Sequence, residues 1–121
     1  MFLKKSQPIP LLALRDTILF PNQVIPLLIG RPRSKAALLK AYQGDKRLVL
    51  VMQKDAEEAD PAKEDLYEVG VEASVVQLLR MPDNNYKALL EGKQRVRLVD
   101  IAVDEKLWEA AADQLEEEDY D

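Results

Sequence analysis

Few residues of this chain have side chains that can form or break a covalent bond. The 121 residues include no histidine and no cysteine, which removes Ser-His and Cys-His catalysis together with the commonest zinc ligand. The three serines are Ser6, Ser34 and Ser74, and none lies in a Gly-x-Ser-x-Gly turn. Residues 91–95 combine a glycine with a lysine but lack the phosphate-binding pattern Gly-x4-Gly-Lys-Ser/Thr. These residue types argue against an independent enzyme, and we expect no cofactor.

Carboxylates are concentrated in residues 55–65, with the sequence DAEEADPAKED. This stretch lacks the oxygen-ligand spacing and the glycine of a calcium-binding loop. Its adjacent carboxylates are of the kind that is usually solvated. We therefore interpret it as a solvated loop and expect no metal site.

One group of cations, Arg31, Arg33 and Lys35, surrounds the expected start of a helix. Cations in this position oppose the positive end of the helix dipole, at a small cost in water. One interpretation is a solvated basic loop. The other is a recognition segment for an acidic or carboxylate-bearing partner.

A second group, Lys93, Arg95 and Arg97, alternates along an expected strand and would share one face that could contact phosphates. The net charge of −5 and the pI near 4.8 disfavour nucleic-acid binding by bulk electrostatics. Three alternating cations are more often a solvated strand face. Nucleic-acid binding is therefore an alternative function and not the first.

The remaining composition is that of an ordinary soluble domain, with 47% hydrophobic and 32% charged residues. No apolar run approaches the roughly 18 to 20 residues of a membrane span. The first ten residues carry two lysines without an apolar run behind them, so we expect no signal peptide and no membrane partner. The lack of cysteine fits a cytoplasmic location.

The pattern of residues 69–101 predicts a long β-hairpin with a Pro-Asp-Asn-Asn turn at 82–85. The apolar face of the first arm is expected to hold Val69, Val71, Ala73, Val75, Leu79 and Met81, with Glu72 on the other face. The end of this arm is expected to be covered on both sides, because Val76 and Leu78 interrupt its polar face. The apolar face of the second arm is expected to hold Ala88, Leu90, Val96 and Leu98. Gly92 inside this arm predicts a bulge or a close backbone approach.

Three shorter strands are expected at 10–14, 24–29 and 48–52, the second at an edge because of Pro26 and the third buried on both faces. A helix is expected at 35–43, with Ser34 as N-cap and Gly44 just after its end. Beyond Asp104 propensity favours a helix. However, Trp108, Ala110 and Ala112 also alternate as in a strand. Residues 1–8 and the acidic residues 116–121 are expected to be tails.

A series of short motifs runs in order along nearly the whole chain: PLLALRD at 10–16, FP at 20–21, VIPL at 24–27, GR at 30–31, QK at 53–54, DLY at 65–67, VG at 69–70, PD at 82–83, and EG at 91–92 followed by Arg95. In this order the series resembles the N-terminal, substrate-binding domain of the bacterial ATP-dependent Lon protease. Ala13 departs from the family, which more often has proline there.

The resemblance implies a mainly β (α+β) fold over residues 9–115, namely a PUA-like six-stranded β-barrel or set of twisted sheets with one main α-helix. It also implies a strand after Asp104. We follow the family there, because tertiary pairing routinely overrides propensity.

The resemblance also implies a non-catalytic role beside an ATPase module and a Ser-Lys protease module, neither of which occurs in this sequence. The expected partners are unfolded or damaged proteins, the rest of a Lon chain, and sibling subunits of a hexamer. Recognition of substrates and help in oligomer assembly are the expected functions. A purely structural role in oligomerisation is a further alternative.

Two segments are the candidate substrate contacts, because a domain that selects unfolded chains needs exposed apolar surface or a free strand edge. The first is the apolar turn Ile18, Leu19 and Phe20, for which packing against the barrel is the competing interpretation. The second is the basic loop Arg31, Pro32 and Arg33. Replacing both arginines by glutamate is expected to weaken binding of an unfolded protein without changing the thermal melt.

Overall fold

The computed structural model describes residues 8–58, 61–103 and 108–114. Within these ranges the chain forms six strands, one α-helix and a short 3₁₀ turn. In chain order they are β1 (Ile9–Leu14), β2 (Val24–Ile29), α1 (Pro32–Gln43), β3 (Arg47–Met52), the 3₁₀ turn (Lys63–Asp65), β4 (Val69–Arg80), β5 (Tyr86–Val103) and β6 (Trp108–Gln114). The expected mainly β fold with one main helix is confirmed.

The strands form one sheet that closes on itself. Their order is β2-β5-β4-β3-β1-β6, and β6 also pairs with β5. Strands β5, β4, β3, β1 and β6 therefore make a closed barrel, while β2 pairs with the first half of β5. The prediction from Pro26 that β2 is an edge strand is confirmed, since among the described residues β5 is its one strand neighbour.

Strand β3 lies between two hydrophobic cores, as its unbroken apolar run predicted. Leu48 and Leu50 face a core that also contains Leu38 of α1, which we call the helix-side core. Val49 and Val51 face a second core, which we call the barrel core. Both faces of the strand are thus buried, and this explains why the run contains no polar residue.

The second arm of the hairpin, β5, serves both cores, contrary to the single apolar face expected for it. Ala88 and Leu90 lie in the helix-side core, whereas Val96 and Leu98 pack in the barrel core. The strand register places Gln94 opposite Glu72 and Gly92 opposite Ala73, so Lys93 is an extra residue in a β-bulge. A one-residue bulge reverses the facing of every later side chain. The bulge expected near Gly92 is confirmed, and it divides the strand between the cores.

A second bulge changes the outcome for the first arm, β4. Val75 pairs with Leu90 and Gln77 with Leu89, which leaves Val76 as the extra residue. Beyond it Leu78 packs against the helix-side core. Val76 and Leu79 are exposed. The predictions that Leu79 is buried and that both faces of this end are covered are therefore wrong. They assumed a regular alternation of side chains, which the extra residue Val76 interrupts.

Glu72 was expected on a polar outer face, but it is only 8% exposed. Arg47 Nε donates a hydrogen bond of 2.7 Å to one carboxylate oxygen, and Gln94 Nε2 donates one of 2.9 Å to the other. Burial alone would raise the pKa of Glu72, but these bonds outweigh it and hold the pKa below its ordinary value of 4.5. The hydrogen bond to Glu72 likewise raises the pKa of Arg47.

The helix begins earlier than the sequence predicted. Arg31 is the N-cap and Pro32 occupies the first turn, whereas Ser34 is buried inside the helix and is not its cap. Proline suits this position because its fixed φ is already helical and its missing N–H is not needed there. Gly44 ends the helix as expected, donating its N–H to the carbonyls of Lys40 and Ala41.

The strand implied by the family beyond Asp104 is confirmed as β6. Trp108 and Ala110 are buried, and they pair with β1 on one side and β5 on the other. Pairing on both sides satisfies the backbone of this segment, which explains why strand formation prevails over helical propensity. The expected tails fall outside the described residues apart from Pro8. Within the described ranges no helix combines the length and apolar character needed to cross a bilayer.

Gly70 permits the closest approach between β3 and β4. A Cβ atom at this position would lie 2.3 Å from the carbonyl oxygen of Leu50. We expect Gly70→Ala to force the two strands apart and lower the free energy of unfolding by about 1–3 kcal/mol, as measured by urea denaturation. Gly30→Ala is the control, since its Cβ would meet only the side chain of Asn85. Equal stability of Gly70→Ala and the unaltered chain would contradict the tight approach.

Acid should weaken the fold through Glu72. The lowered pKa means that its stabilising contribution is complete above about 4.5 and is lost as the pH falls through the folded-state value. We expect the melting temperature of the unaltered chain to fall more steeply below that pH than the melting temperature of Glu72→Gln, in which this group no longer titrates. Parallel melting curves for the two proteins would show that Glu72 contributes nothing to the acid response.

Candidate functional site

The segment between β1 and β2 presents two large apolar side chains to solvent. Ile18 is 56% exposed and Phe20 is 55% exposed, whereas Leu19 between them is 2% exposed and lies in the helix-side core. Packing into the core is thus confirmed for Leu19, while a substrate contact by Ile18 and Phe20 stays a prediction. Leu19 anchors the segment and is no surface contact, while Ile18 and Phe20 remain available.

Backbone contacts with β5 fix this segment in place. The N–H of Asn22 donates to the carbonyl of Gly92 at 2.9 Å, and the N–H of Gly92 donates to the carbonyl of Gln23 at 2.8 Å. A Cβ on Gly92 would lie 2.4 Å from the carbonyl oxygen of Phe20. Only glycine allows this approach, so the close contact predicted at Gly92 is confirmed. Asn22 closes the turn with a φ of 70°, which asparagine adopts more readily than most residues.

A cleft of about 140 Å³ lies beside the segment, and we call it the loop cleft. Its described lining comes from the segment, the end of β1 and the faces of β3, β4 and β5: Leu14, Thr17, Ile18, Leu19, Phe20, Pro21, Leu50, Met52, Val69, Gly70, Val71 and Arg95. A cavity of about 150 Å³ accommodates a benzene ring. The loop cleft therefore has room for one aliphatic or aromatic side chain.

Arg95 is the cation of this otherwise apolar lining. It faces the cleft because the bulge at Lys93 turns the second half of β5 over, placing Arg95 opposite Val71, which separates it from Leu50 on β3. Sequence reasoning assigned Arg95 and Phe20 to different surfaces. The structure brings them to one cleft, and Gly92 was the single signal in the sequence that could have linked them.

A model of the ATP-dependent protease La (LON) substrate-binding domain matches residues 8–121 of this chain. The chain belongs to this family. The Lon protease of Xanthomonas oryzae pv. oryzae is 52% identical over 96 residues, which are 76% of this chain and 11% of that protein. The Lon protease of Escherichia coli K12 is 42% identical over 108 residues, 89% of this chain and 14% of that protein. The chain thus spans only a small part of the relatives it matches.

Solved structures agree with the fold of this Lon-family domain. The N-terminal domain of the Mycobacterium avium complex Lon protease superposes with a TM-score of 0.73 at 19% identity, covering 92% of this chain and 56% of that one. A Lon N-terminal domain protein from Xanthomonas campestris gives a TM-score of 0.69 at 16% identity, covering 91% and 60%. At such identities the match concerns the fold alone.

The basic residues at the helix start of the Lon-family domain divide between two environments. Arg31 lines a second cleft, of about 340 Å³, together with Thr17 and Leu28. The guanidinium of Arg33 lies 4.6 Å from the ring centroid of Trp108, a cation–π contact with β6. Pro32 is exposed. These residues are the cap and first turn of α1, not a separate basic loop.

The three strand cations of the alternative hypothesis do not form one row. Lys93 occupies the bulge and forms an ion pair of 3.2 Å with Glu91. Arg95 faces the loop cleft, and Arg97 is exposed. The expectation of a shared face is wrong because the bulge removes Lys93 from the alternation.

The acidic stretch, residues 55–65, was expected to be a solvated loop without a metal site. Among the residues that the structure describes, no group of three or more Asp or Glu is arranged to hold a metal ion. The stretch is attached through buried Gln53, whose Nε2 donates to the carbonyls of Asp55 and Glu58, each at 2.8 Å. Its described part is thus tied to β3 by main-chain acceptors, while the carboxylates of Asp55 and Asp65 accept hydrogen bonds from the backbone N–H groups of Glu57 and Ala62.

Arg33 is expected to stabilise the fold, which replaces the expectation of an unchanged melt for this residue. Arg33→Ala should lower the free energy of unfolding by about 0.5–1 kcal/mol, the usual strength of a cation–π contact at a partly exposed site. Trp108 is the one tryptophan of the chain, so its fluorescence during urea denaturation reports on the contact. The control is Arg97→Ala on an exposed strand position. An Arg33→Ala variant as stable as this control would contradict a stabilising role.

Proposed function

We propose that this chain is the substrate-recognition part of an ATP-dependent Lon protease, binding unfolded or damaged cytoplasmic proteins while other modules of a longer polypeptide hydrolyse them. One observation carries the proposal. Ile18 and Phe20 are more than half exposed on a segment that Leu19 and Gly92 hold beside an apolar cleft. A rigid apolar surface of this kind suits partners that display apolar side chains, as unfolded proteins do.

The energetics favour weak and broad binding. Fully burying one large apolar side chain contributes about 1.5–3 kcal/mol, and Ile18 and Phe20 are already partly buried. The association must also offset lost translational and rotational freedom. The loop cleft holds one side chain and has few polar groups to impose orientation. Such a surface selects proteins because they expose apolar side chains, and not because they carry a particular sequence.

Arg95 adds a contact that does not depend on the sequence of the captured chain. A guanidinium carries five N–H donors, and every polypeptide offers backbone carbonyl acceptors. Arg95 also interacts within the domain, and its positive charge in the lining of the loop cleft attracts a carbonyl next to the bound side chain. Arg31 and Pro32 extend this surface on the neighbouring cleft that includes Thr17, whereas Arg33 acts mainly on the fold.

The chain also contributes to assembly with sibling subunits of the protease. Hydrolysis lies outside its role, because the sequence has no histidine, no cysteine and no Gly-x-Ser-x-Gly turn. The purified chain, incubated with ATP and an unfolded protein, is therefore expected to consume neither. Release of peptides or phosphate by the isolated chain would overturn the division of roles.

The capture surface can be tested with the variant Ile18→Ser/Phe20→Ser. We expect it to weaken the binding of reduced, carboxymethylated α-lactalbumin, a permanently unfolded probe, at least tenfold, which is about 1.4 kcal/mol. Fluorescence anisotropy of the labelled probe measures the affinity. The melting temperature should change little, since both side chains are exposed.

The matched control is Tyr67→Ser/Val99→Ser, which removes an aromatic and a β-branched side chain that are 50% and 59% exposed. These residues line a different cleft, near Leu66 and Ile101. Probe affinity should be unaltered in this variant. Equal weakening in both variants would indicate general stickiness, and no weakening in either would place capture elsewhere.

A further inference from the structure

A second apolar surface lies on the opposite side of the sheet from the helix-side core. The strand register places residues of β2, β5 and β4 on one outward face: Val24, Pro26, Leu28, Gln77, Leu79, Lys87, Leu89 and Glu91. We call this the outer sheet face. Side chains of directly paired residues share a face, so these eight positions form three adjacent rows.

The outer sheet face is apolar and uncovered. Val24 is 53% exposed, Leu28 67% and Leu79 47%, and the bulge residue Val76 beside them is 51% exposed. Alternate residues of the same strands, such as Ile29, Ala88 and Leu90, lie in the helix-side core. This part of the sheet, made of β2, the end of β4 and the start of β5, is therefore packed on the helix side, while the barrel core on the opposite side includes none of the eight residues of the outer sheet face. A contiguous apolar face of this kind usually marks an interaction surface.

Pairing along the free edge of β2 is not how this surface would bind. Gly92 donates its N–H to the carbonyl of Gln23, so alternation turns the backbone groups of Ile25 and Leu27 toward β5. Pro26 then points its backbone to the free edge, where it has no N–H to donate. A proline at the centre of an edge protects it from strand addition. A partner of this surface would therefore contact the side chains of the outer sheet face and not the backbone of β2.

The charges on the central strand are self-complementary. Lys87 and Glu91 flank Leu89 on the same face of β5, about 7 Å to either side at 3.4 Å per residue. Glu91 also pairs with Lys93 of its own chain through Oε1, but its side chain is still 40% exposed to a second cation. Consider two copies facing each other, related by a two-fold axis that runs perpendicular to β5 at Leu89. This axis places Lys87 of each copy opposite Glu91 of the other, which gives two equivalent ion pairs. The same axis places Leu28 opposite Val24 of the second copy and Leu89 opposite itself, as an isologous contact requires.

We propose that the outer sheet face is the contact between two copies of this chain. This specifies the surface for the sibling-subunit contact and rests on that part of the proposed function, but it is independent of capture at the loop cleft. A flat face with two opposite charges at fixed positions suits a partner with the same fixed positions. An unfolded chain has no fixed charge positions, and its proposed binding site is the loop cleft beside Phe20.

The unaltered chain should associate in a concentration-dependent way, with a dissociation constant no weaker than roughly 1 mM, as measured by sedimentation velocity. Lys87→Glu and Glu91→Lys should each weaken it at least tenfold, because like charges then face each other. An equimolar mixture of the two variants should restore it. In the mixed pair the introduced glutamate of one variant meets the introduced lysine of the other, and the native Glu91 meets the native Lys87. Recovery on mixing cannot come from a merely structural effect of either substitution.

Val24→Asp tests the apolar part, with Val99→Asp as the control, the same change at a similarly exposed position outside the face. Only the first should reduce association, and probe binding by α-lactalbumin should persist in it. A chain that stays monomeric, or variants that do not recover on mixing, would overturn the interface. Loss of probe binding in Val24→Asp would show that the face takes unfolded protein instead. Loss of capture in the Ile18/Phe20 variant alone leaves this proposal unaffected.

Discussion

The structure depends on the close backbone approach between Gly92 and the carbonyl of Phe20, with the bulge at Lys93 that follows it. Strand β5 must contribute to two cores that lie on opposite faces of the sheet. A regular strand of eighteen residues would present its even-numbered side chains to one core only. The extra residue at the bulge reverses this facing midway. Ala88 and Leu90 then complete one core and Val96 the other.

Three surface features follow from that constraint. The absent Cβ at Gly92 lets the segment with Ile18 and Phe20 dock on the strand, so that buried Leu19 holds its neighbours outward. The reversed facing brings Arg95 into the apolar cleft beside this segment. On the other side of the sheet, Leu89 remains between Lys87 and Glu91 on an uncovered face. The two proposed interaction surfaces therefore lie on opposite sides of one strand.

A rigid scaffold with exposed apolar residues suits recognition without catalysis. Ile18, Phe20 and Leu28 are kept from collapsing into the core because their neighbours Leu19 and Ile29 already fill it. The stabilising interactions lie elsewhere, in the bonds of Arg47 and Gln94 to Glu72 and in the stacking of Arg33 on Trp108. These interactions do not involve Ile18, Phe20 or Leu28, so substitutions at those three exposed positions are expected to leave the fold intact.

Local patterns by themselves determined much about this protein. The lack of histidine and cysteine excluded most catalytic chemistry, Pro26 identified β2 as an edge strand, and the apolar run of β3 indicated burial on both faces. Gly92 marked the bulge. These features are encoded by residues adjacent in sequence, so local rules were sufficient to find them.

Tertiary structure alone decided which core each side chain joins. Leu79 left its expected apolar face, and Lys93 left the row of Arg95 and Arg97, because a bulge of one residue reverses the facing of the side chains beyond it and cannot be seen in the alternation. Glu72 kept its expected face but is buried there, because it pairs with Val49 of the barrel core. Whether residues 108–114 form a strand depended on partners about ten and about a hundred residues away, in β5 and β1. Burial and pairing are properties of contacts between distant segments, which no local pattern contains.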